Sequence, residues 1–300
     1  MAFHPELQAA SHFLPTGVGR PWLVKVMRWM PAPRSTLPEG LTVEEHQLGS
    51  AAVRVIGPRL DGTLRPVVIW IHGGGYVIGA ARQDDALCAR LAKRLDAVVV
   101  NVEYRLAPEH PFPAPLDDCL AAFDFVHANA QKLGVDVARI AIAGQSAGGG
   151  LAAGLVLRIH DLGRPMPKFQ LLLYPMLDDR TVLKPVDDRQ FRVWDSRSNR
   201  LGWTAYLGRD PGSPDVSDHA APGRRDDLSG LPSTWIGVGS RDLFHDEDVA
   251  YAARLRSAGV PTSLDVIEGA FHGFDALLPG KPVSRDFFER QVRALEAGLK

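Results

Sequence analysis

Gly144-Gln-Ser-Ala-Gly-Gly-Gly150 follows the apolar, strand-like run Arg139-Ile-Ala-Ile-Ala143 and leads into the helix-like run Leu151-Ala-Ala-Gly-Leu155. A serine on a strand-to-helix turn, with glycine two places before and two after, has the pattern of a nucleophile elbow. Such a turn is so tight that the serine backbone is strained and its neighbours must be almost free of side chain, a need that Gly144 and Gly148 meet. The turn lifts the Ser146 hydroxyl clear of the sheet edge and aims the N-terminus of the new helix at whatever the hydroxyl attacks. Five-residue patterns recur by chance, so the flanking strand and helix carry the reading.

Outward from the elbow, strand-like runs fall at Thr42–Leu48, Ala52–Ile56, Pro66–His72, Ala97–Tyr104, Arg139–Ala143, Lys168–Tyr174, Thr234–Gly239 and Thr262–Glu268. Runs such as Val98-Val-Val100 are apolar without alternation, as in strands covered on both faces. Helix-like segments lie between them near Gln83–Arg94, Leu116–Leu133, Ala147–Asp161, Glu247–Ala258 and Ser284–Leu299. After an initial β-hairpin, this alternation predicts an α/β fold: a mostly parallel sheet of about eight strands with helices on both faces. Reactive groups then gather at the carboxyl ends of the strands. Two regions break the rhythm. Residues 1–40 end in the proline-rich tract 31–38, a linker by composition, and residues 178–231 form an insertion at a strand's carboxyl end, where it can roof a site.

The 300 residues are 45% hydrophobic and 23% charged, with a formal charge of −1, which fits a globular chain and gives no reason to expect nucleic acid or an anionic membrane as partner. No basic run and no zinc-spaced Cys/His cluster is present. The two cysteines, Cys88 and Cys119, make no disulfide framework. The first residues lack an apolar core of signal-peptide length, and no run approaches a membrane span. A cytoplasmic protein without integral membrane association is the expectation, and a homodimer is compatible with the sequence.

Ser146 needs a base, an acid to hold that base, and donors for an oxyanion. On an elbow of this kind the chain order is serine, carboxylate, histidine. Among ten histidines, His272 follows the last strand in Glu268-Gly-Ala-Phe-His-Gly-Phe274, where flanking glycines let a loop reach back over the sheet. Asp242 lies just past the strand run Trp235-Ile-Gly-Val-Gly239; Asp246 is the rival, although it reads with Glu247 and Asp248 as a first-turn acid of the next helix. Oxyanion donors are expected after the third strand, where His72 precedes Gly73, Gly74, Gly75 and Tyr76, and at Ala147. A phosphate cradle is the competing reading of the glycines, and it lacks the Lys-Ser/Thr of a P-loop.

These residues together, His72-Gly-Gly-Gly-Tyr76, the segment Glu103–Ala114, Gly144–Gly149, Asp242–Glu247 and His272-Gly-Phe274, resemble the hormone-sensitive-lipase family of carboxylesterases from about residue 65 to 275. The resemblance implies an α/β-hydrolase core (residues 41–177 and 232–300), a helical cap made from residues 1–40 and 178–231, and no cofactor. It places the family's triad on Ser146, Asp242 and His272, with an acyl ester and water as reactants and short to medium acyl chains preferred. Two positions depart from the family pattern: Gln145 stands where Asp is usual, and Tyr76 replaces the commoner Phe or Trp. Arg105 and Glu109, in the proline-rich segment, read as a pair that fixes the loop.

For the pocket, Trp22, Val26, Trp29 and Met30 share one face of a helix over Pro21–Met30, expected to pack on the protein rather than lie on a membrane surface. With Phe191, Trp194 and Trp203 of the insertion and with Tyr76, Trp22 and Val26 are the candidate substrate contacts, although the aromatics equally suit a cap core. An amide or lactone hydrolase is the alternative within enzymes; a non-catalytic receptor would be expected to lack a triad residue, and a structural role leaves the elbow unexplained.

Overall fold

A computed structural model describes residues 2–29 and 37–300. Met30 of the apolar stripe and residues 31–36 of the proline-rich tract lie outside the described residues. Two short helices, α1 (Pro5–Ser11) and α2 (Pro21–Trp29), precede the hairpin β1 (Leu41–Leu48) and β2 (Ala51–Pro58). There follow β3 (Arg65–Ile71), α3 (Asp85–Leu95), β4 (Val98–Glu103), α4 (Ala114–Ala128), α5 (Ala130–Leu133), β5 (Val135–Gln145), α6 (Ala147–Asp161) and β6 (Phe169–Leu173). After α7 (Ser196–Leu207) come β7 (Ser233–Arg241), α8 (His245–Ser257), β8 (Thr262–Phe271), α9 (Phe274–Leu277) and α10 (Pro282–Gly298). The strands form one eight-stranded sheet in the order β1-β2-β4-β3-β5-β6-β7-β8. Among the described residues only the β1–β2 and β2–β4 pairings are antiparallel.

The unbroken apolar runs become strands covered on both faces. Val67, Ile69 and Ile71 of β3 join one core with Phe123 of α4 and Leu151 and Leu155 of α6. Their neighbours Val68 and Trp70 face the other core, with Leu91 of α3 and Phe287 and Val292 of α10. Each fully buried side chain of this size stabilises the fold by roughly 1.5–3 kcal/mol relative to exposure. The alternation of side chains along a strand therefore supplies both layers from a single apolar stretch.

Element boundaries differ from the sequence reading in instructive places. The helix expected over Leu116–Leu133 breaks at Asn129, whose side-chain amide donates to the Phe125 carbonyl (2.9 Å) and closes α4 before α5 begins. Helix α1 was not anticipated, because seven residues with Leu7 as the only fully buried large apolar side chain show no helical period. It is tied down by tertiary bonds instead: His4 N donates to Gly269 O (2.8 Å), and Val283 N donates to Glu6 Oε2 (2.7 Å).

Helix α2 forms as expected but turns its stripe outward. Trp22, Val26 and Trp29 are 60%, 50% and 89% exposed, and the buried residue is Val24. The Arg28 guanidinium explains the rotation, since it donates from Nε to Val77 O (2.6 Å), from Nη1 to Glu109 (2.8 Å) and also to Ala107 O. These bonds commit the face carrying Val24 and Arg28 to the protein. Arg105 pairs with Asp118 rather than with Glu109, so both charges of that segment fix loops, through partners other than each other.

Candidate active site

Strand β5 ends at Gln145, and Ser146 makes the turn into α6 with φ 56° and ψ −122°. A non-glycine residue held there costs about 1–3 kcal/mol, which the surrounding packing must supply. Close approach explains the adjacent glycines. A Cβ on Gly148 would lie 2.1 Å from Ile71 O and 2.3 Å from His72 O, and one on Gly144 would lie 2.2 Å from Gly148 O. The start of α6 is thus pressed directly against the end of β3.

The Ser146 hydroxyl and His272 Nε2 are 2.8 Å apart, and His272 Nδ1 is 2.8 Å from Asp242 Oδ2. Asp242 follows β7, where its Oδ1 accepts the Phe244 N–H (3.0 Å), and His272 follows β8. Three strands' carboxyl ends therefore deliver three side chains to one line of hydrogen bonds. The imidazole is wedged edge-on between Tyr174 (4.9 Å between ring centres) and Phe244 (5.3 Å). Asp246, the rival acid, is exposed and contacts His245.

Gly73, Gly74 and Gly75 follow β3 directly against the elbow: a Cβ on Gly73 would lie 3.3 Å from Ser146 Cβ. Gly74 and Gly75 adopt φ of 122° and 59°. Among the described residues no turn or loop hydrogen bond uses the N–H of these three glycines or of Ala147. Ala147 opens α6, where a helix has N–H groups without internal acceptors. Beneath the loop, His72 is buried and stacked on Tyr104 at 4.2 Å, with Nδ1 2.7 Å from Gly73 O.

Burial pushes the His72 pKa down to about 4, against a weaker opposing effect of the Gly73 carbonyl. The unfolded chain therefore binds a proton below about pH 6.5 that the folded chain refuses until about pH 4. Stability is fully present above that window and falls as the pH drops through it, by about 3 kcal/mol from this residue. Urea unfolding at steps from pH 7 to 4 should show a shallower loss in His72→Asn; an unchanged slope would refute this attribution.

A cavity of about 250 Å³ opens over Ser146 and His272, lined also by Gly73–Gly75, Gln145 and Tyr174. Val18 and Met27 from the N-terminal residues and Val193 and Trp194 from residues 178–231 line it as well. Trp194 is the candidate substrate contact that reaches the cavity; it packs so closely on the glycine loop that a Cβ on Gly75 would meet its ring at 2.0 Å. Val193 holds φ 74°, unusual for a β-branched residue, with its N–H donating to Pro15 O (2.8 Å).

The other five candidates are not among the lining residues. Trp22 and Val26 face outward, while Met27, the next position round the helix, points in. Tyr76 is fully buried, stacks on Tyr206 at 3.9 Å and donates to Met176 O (3.2 Å), so it joins the glycine loop to the insertion. Trp203 packs in the same cluster, and Phe191 belongs to the hydrophobic core. Sequence reasoning missed Met27, Tyr174, Gln83 and Asp84 as cavity walls; the signal for Met27 was its adjacency to Val26, already singled out.

Residues 68–276 match the family model described as alpha/beta hydrolase fold. The carboxylesterase NlhH of Mycobacterium tuberculosis is 36% identical over 285 residues, covering 91% of this chain and 88% of that one. The chain belongs to the hormone-sensitive-lipase family of carboxylesterases. The esterase LipI of M. tuberculosis is also 36% identical, over 80% of this chain and 75% of its own. A structure titled bacterial heroin esterase superposes with a TM-score of 0.88 at 38% identity, covering 100% of this carboxylesterase-family chain and 98% of the other.

Within the family pattern, Gln145 takes a definite place. Its amide donates to Asp84 (3.0 Å to Oδ2), and its Oε1 lies 3.3 Å from the Tyr174 hydroxyl, whose proton goes to Asp275 (2.9 Å). The neutral amide thus sits between two carboxyl groups, where a third carboxylate would be repelled.

Proposed function

We propose that this carboxylic ester hydrolase acts through Ser146 as nucleophile, His272 as base and Asp242 as the acid that orients the base, on short- to medium-chain acyl esters. The observation that carries the reading is the continuous hydrogen-bonded line Asp242–His272–Ser146 at 2.8 Å per step, opening into a cavity of about 250 Å³. His272 takes the hydroxyl proton as Ser146 Oγ attacks the ester carbonyl. The oxyanion is met by N–H groups of Gly73–Gly75 and of Ala147, each such donor typically worth about 2.7–4 kcal/mol in the transition state. His272 then protonates the departing alcohol, and water attacks the acyl-enzyme by the same route in reverse.

The cavity's size supports the modest chain length, and its reactants are an ester and water. No described helix is long and apolar enough to cross a membrane. Cys88 and Cys119 are both free and buried, which supports a cytoplasmic location. A chromogenic ester series from acetate to laurate, run beside Ser146→Ala, tests the substrate class. kcat/KM is expected to peak at a short or medium chain and to collapse in the variant. A rate that climbs steadily to laurate would contradict the chain-length reading.

A further inference from the structure

One charged group on the cavity wall is not used by the hydrolytic chemistry. Asp84 lines the cavity next to Gln145, and its hydrogen-bond donors are two neutral groups, Trp70 Nε1 (2.7 Å) and Gln145 Nε2 (3.0 Å). Among the described residues it has no ion-pair partner. Its sequence neighbour Asp85 makes the contrast, held by both arms of the Arg54 guanidinium at 2.8 and 2.7 Å. No lysine or arginine among the described residues lines the cavity over Ser146. A second cavity, of about 180 Å³, shares Gln83, Asp84, Gln145 and Ala276 with it and is lined also by Arg90, whose guanidinium lies over the Phe288 ring (3.8 Å) and forms no ion pair with Asp84 among the described residues.

A carboxylate taken partly out of water without a cation is costly, and the remedy is a cation or proton brought to it. Burial, with the nearby carboxyls of Asp275 and Asp85, pushes the Asp84 pKa up to about 6, so above that pH the wall carries a negative charge. Trp194 lines the same cavity, as does Tyr174, whose ring packs between His272 (4.9 Å) and Phe287 (6.4 Å), and aromatic rings attract cations. Carboxylate and aromatic rings around an apolar space make a setting for an ammonium group.

We infer that Asp84 is a specificity-determining residue that receives a protonated or quaternary ammonium group carried on the acyl or alcohol arm of the ester. The inference rests on the esterase reading above and names a substrate class for it. The group docks against Asp84, Tyr174 and Trp194 while the ester carbonyl lies at Ser146. A residue that only braced Gln145 behind the elbow would affect all esters alike, so the discriminating quantity is a ratio within each enzyme.

Two matched pairs test it: choline butyrate against its carbon isostere with tert-butyl in place of trimethylammonium, and a nitrophenyl trimethylammonio-butanoate against the same replacement in the acyl arm. In the wild type, kcat/KM for the cationic ester should exceed that of its isostere by roughly tenfold or more on at least one arm, as for a charge-assisted contact. In Asp84→Asn the ratio should fall to about one or below, whatever happens to the absolute rates. Ratios of one or less on both arms in the wild type, or an undiminished ratio in Asp84→Asn, would overturn the inference. Should the variant fail to fold, the wild-type ratio decides. Turnover of neither member of any pair would instead count against the esterase reading itself.

Discussion

Ser146→Ala and His272→Ala are each expected to lower kcat by about 10⁶ while leaving the folded chain intact, and Asp242→Asn by about 10⁴. The sizes follow from interdependence: without the hydroxyl there is no nucleophile, and without the imidazole the hydroxyl keeps its proton. The asparagine preserves the packing of Asp242 but presents a donor to His272 Nδ1, which favours the wrong tautomer for a base. The double variant Ser146→Ala/His272→Ala should be scarcely worse than either single one, because the line works as a unit. Turnover of a nitrophenyl ester, with circular dichroism to confirm folding, measures all four. Near-wild-type turnover in Ser146→Ala would remove the nucleophile from this account.

Gly148→Val should produce the largest loss of stability, about 3–5 kcal/mol or outright failure to fold. The added Cβ would lie 2.1 Å from Ile71 O and 2.3 Å from His72 O, and both are backbone atoms with no side-chain rotation to relieve the clash. Helix α6 can make room only by leaving β3, which carries the elbow away from the glycine loop. Gly280→Ala is the control: nothing lies within 4 Å of its added Cβ, and the expected change is within about 0.5 kcal/mol. Urea midpoints for both variants decide the matter; an unshifted midpoint in Gly148→Val would mean the elbow is not packed as described.

The sheet was legible because its central strands are largely unbroken apolar runs, and β3 is followed closely by the glycines Gly73–Gly75. The line of Ser146, Asp242 and His272 was legible for a related reason: each residue directly follows a strand, and the sheet order places those strand ends together without help from distant loops. The walls of the cavity were not. Which face of α2 turns inward depends on Arg28 reaching Val77, Ala107 and Glu109, residues far away in the chain. Hydrophobic periodicity finds a stripe but does not say whether a competing polar anchor outweighs it, so Val26 was chosen where Met27 lines the cavity. Tyr76, Trp203 and Phe191 were misplaced because buried aromatics and pocket aromatics carry the same sequence signal. Asp84 was invisible for the opposite reason, since an acid at the start of a helix reads as a favourable first-turn charge.

The most direct test of the central claim is covalent trapping. Wild-type protein treated with a nitrophenyl dialkyl phosphate, which phosphorylates activated serines, should release one equivalent of nitrophenol as activity disappears. Peptide mass spectrometry should then place the single adduct on Ser146, with no adduct in Ser146→Ala and much slower labelling in His272→Ala. Inactivation with the adduct on another residue, or equal labelling of Ser146→Ala, would show that the reactive group lies elsewhere.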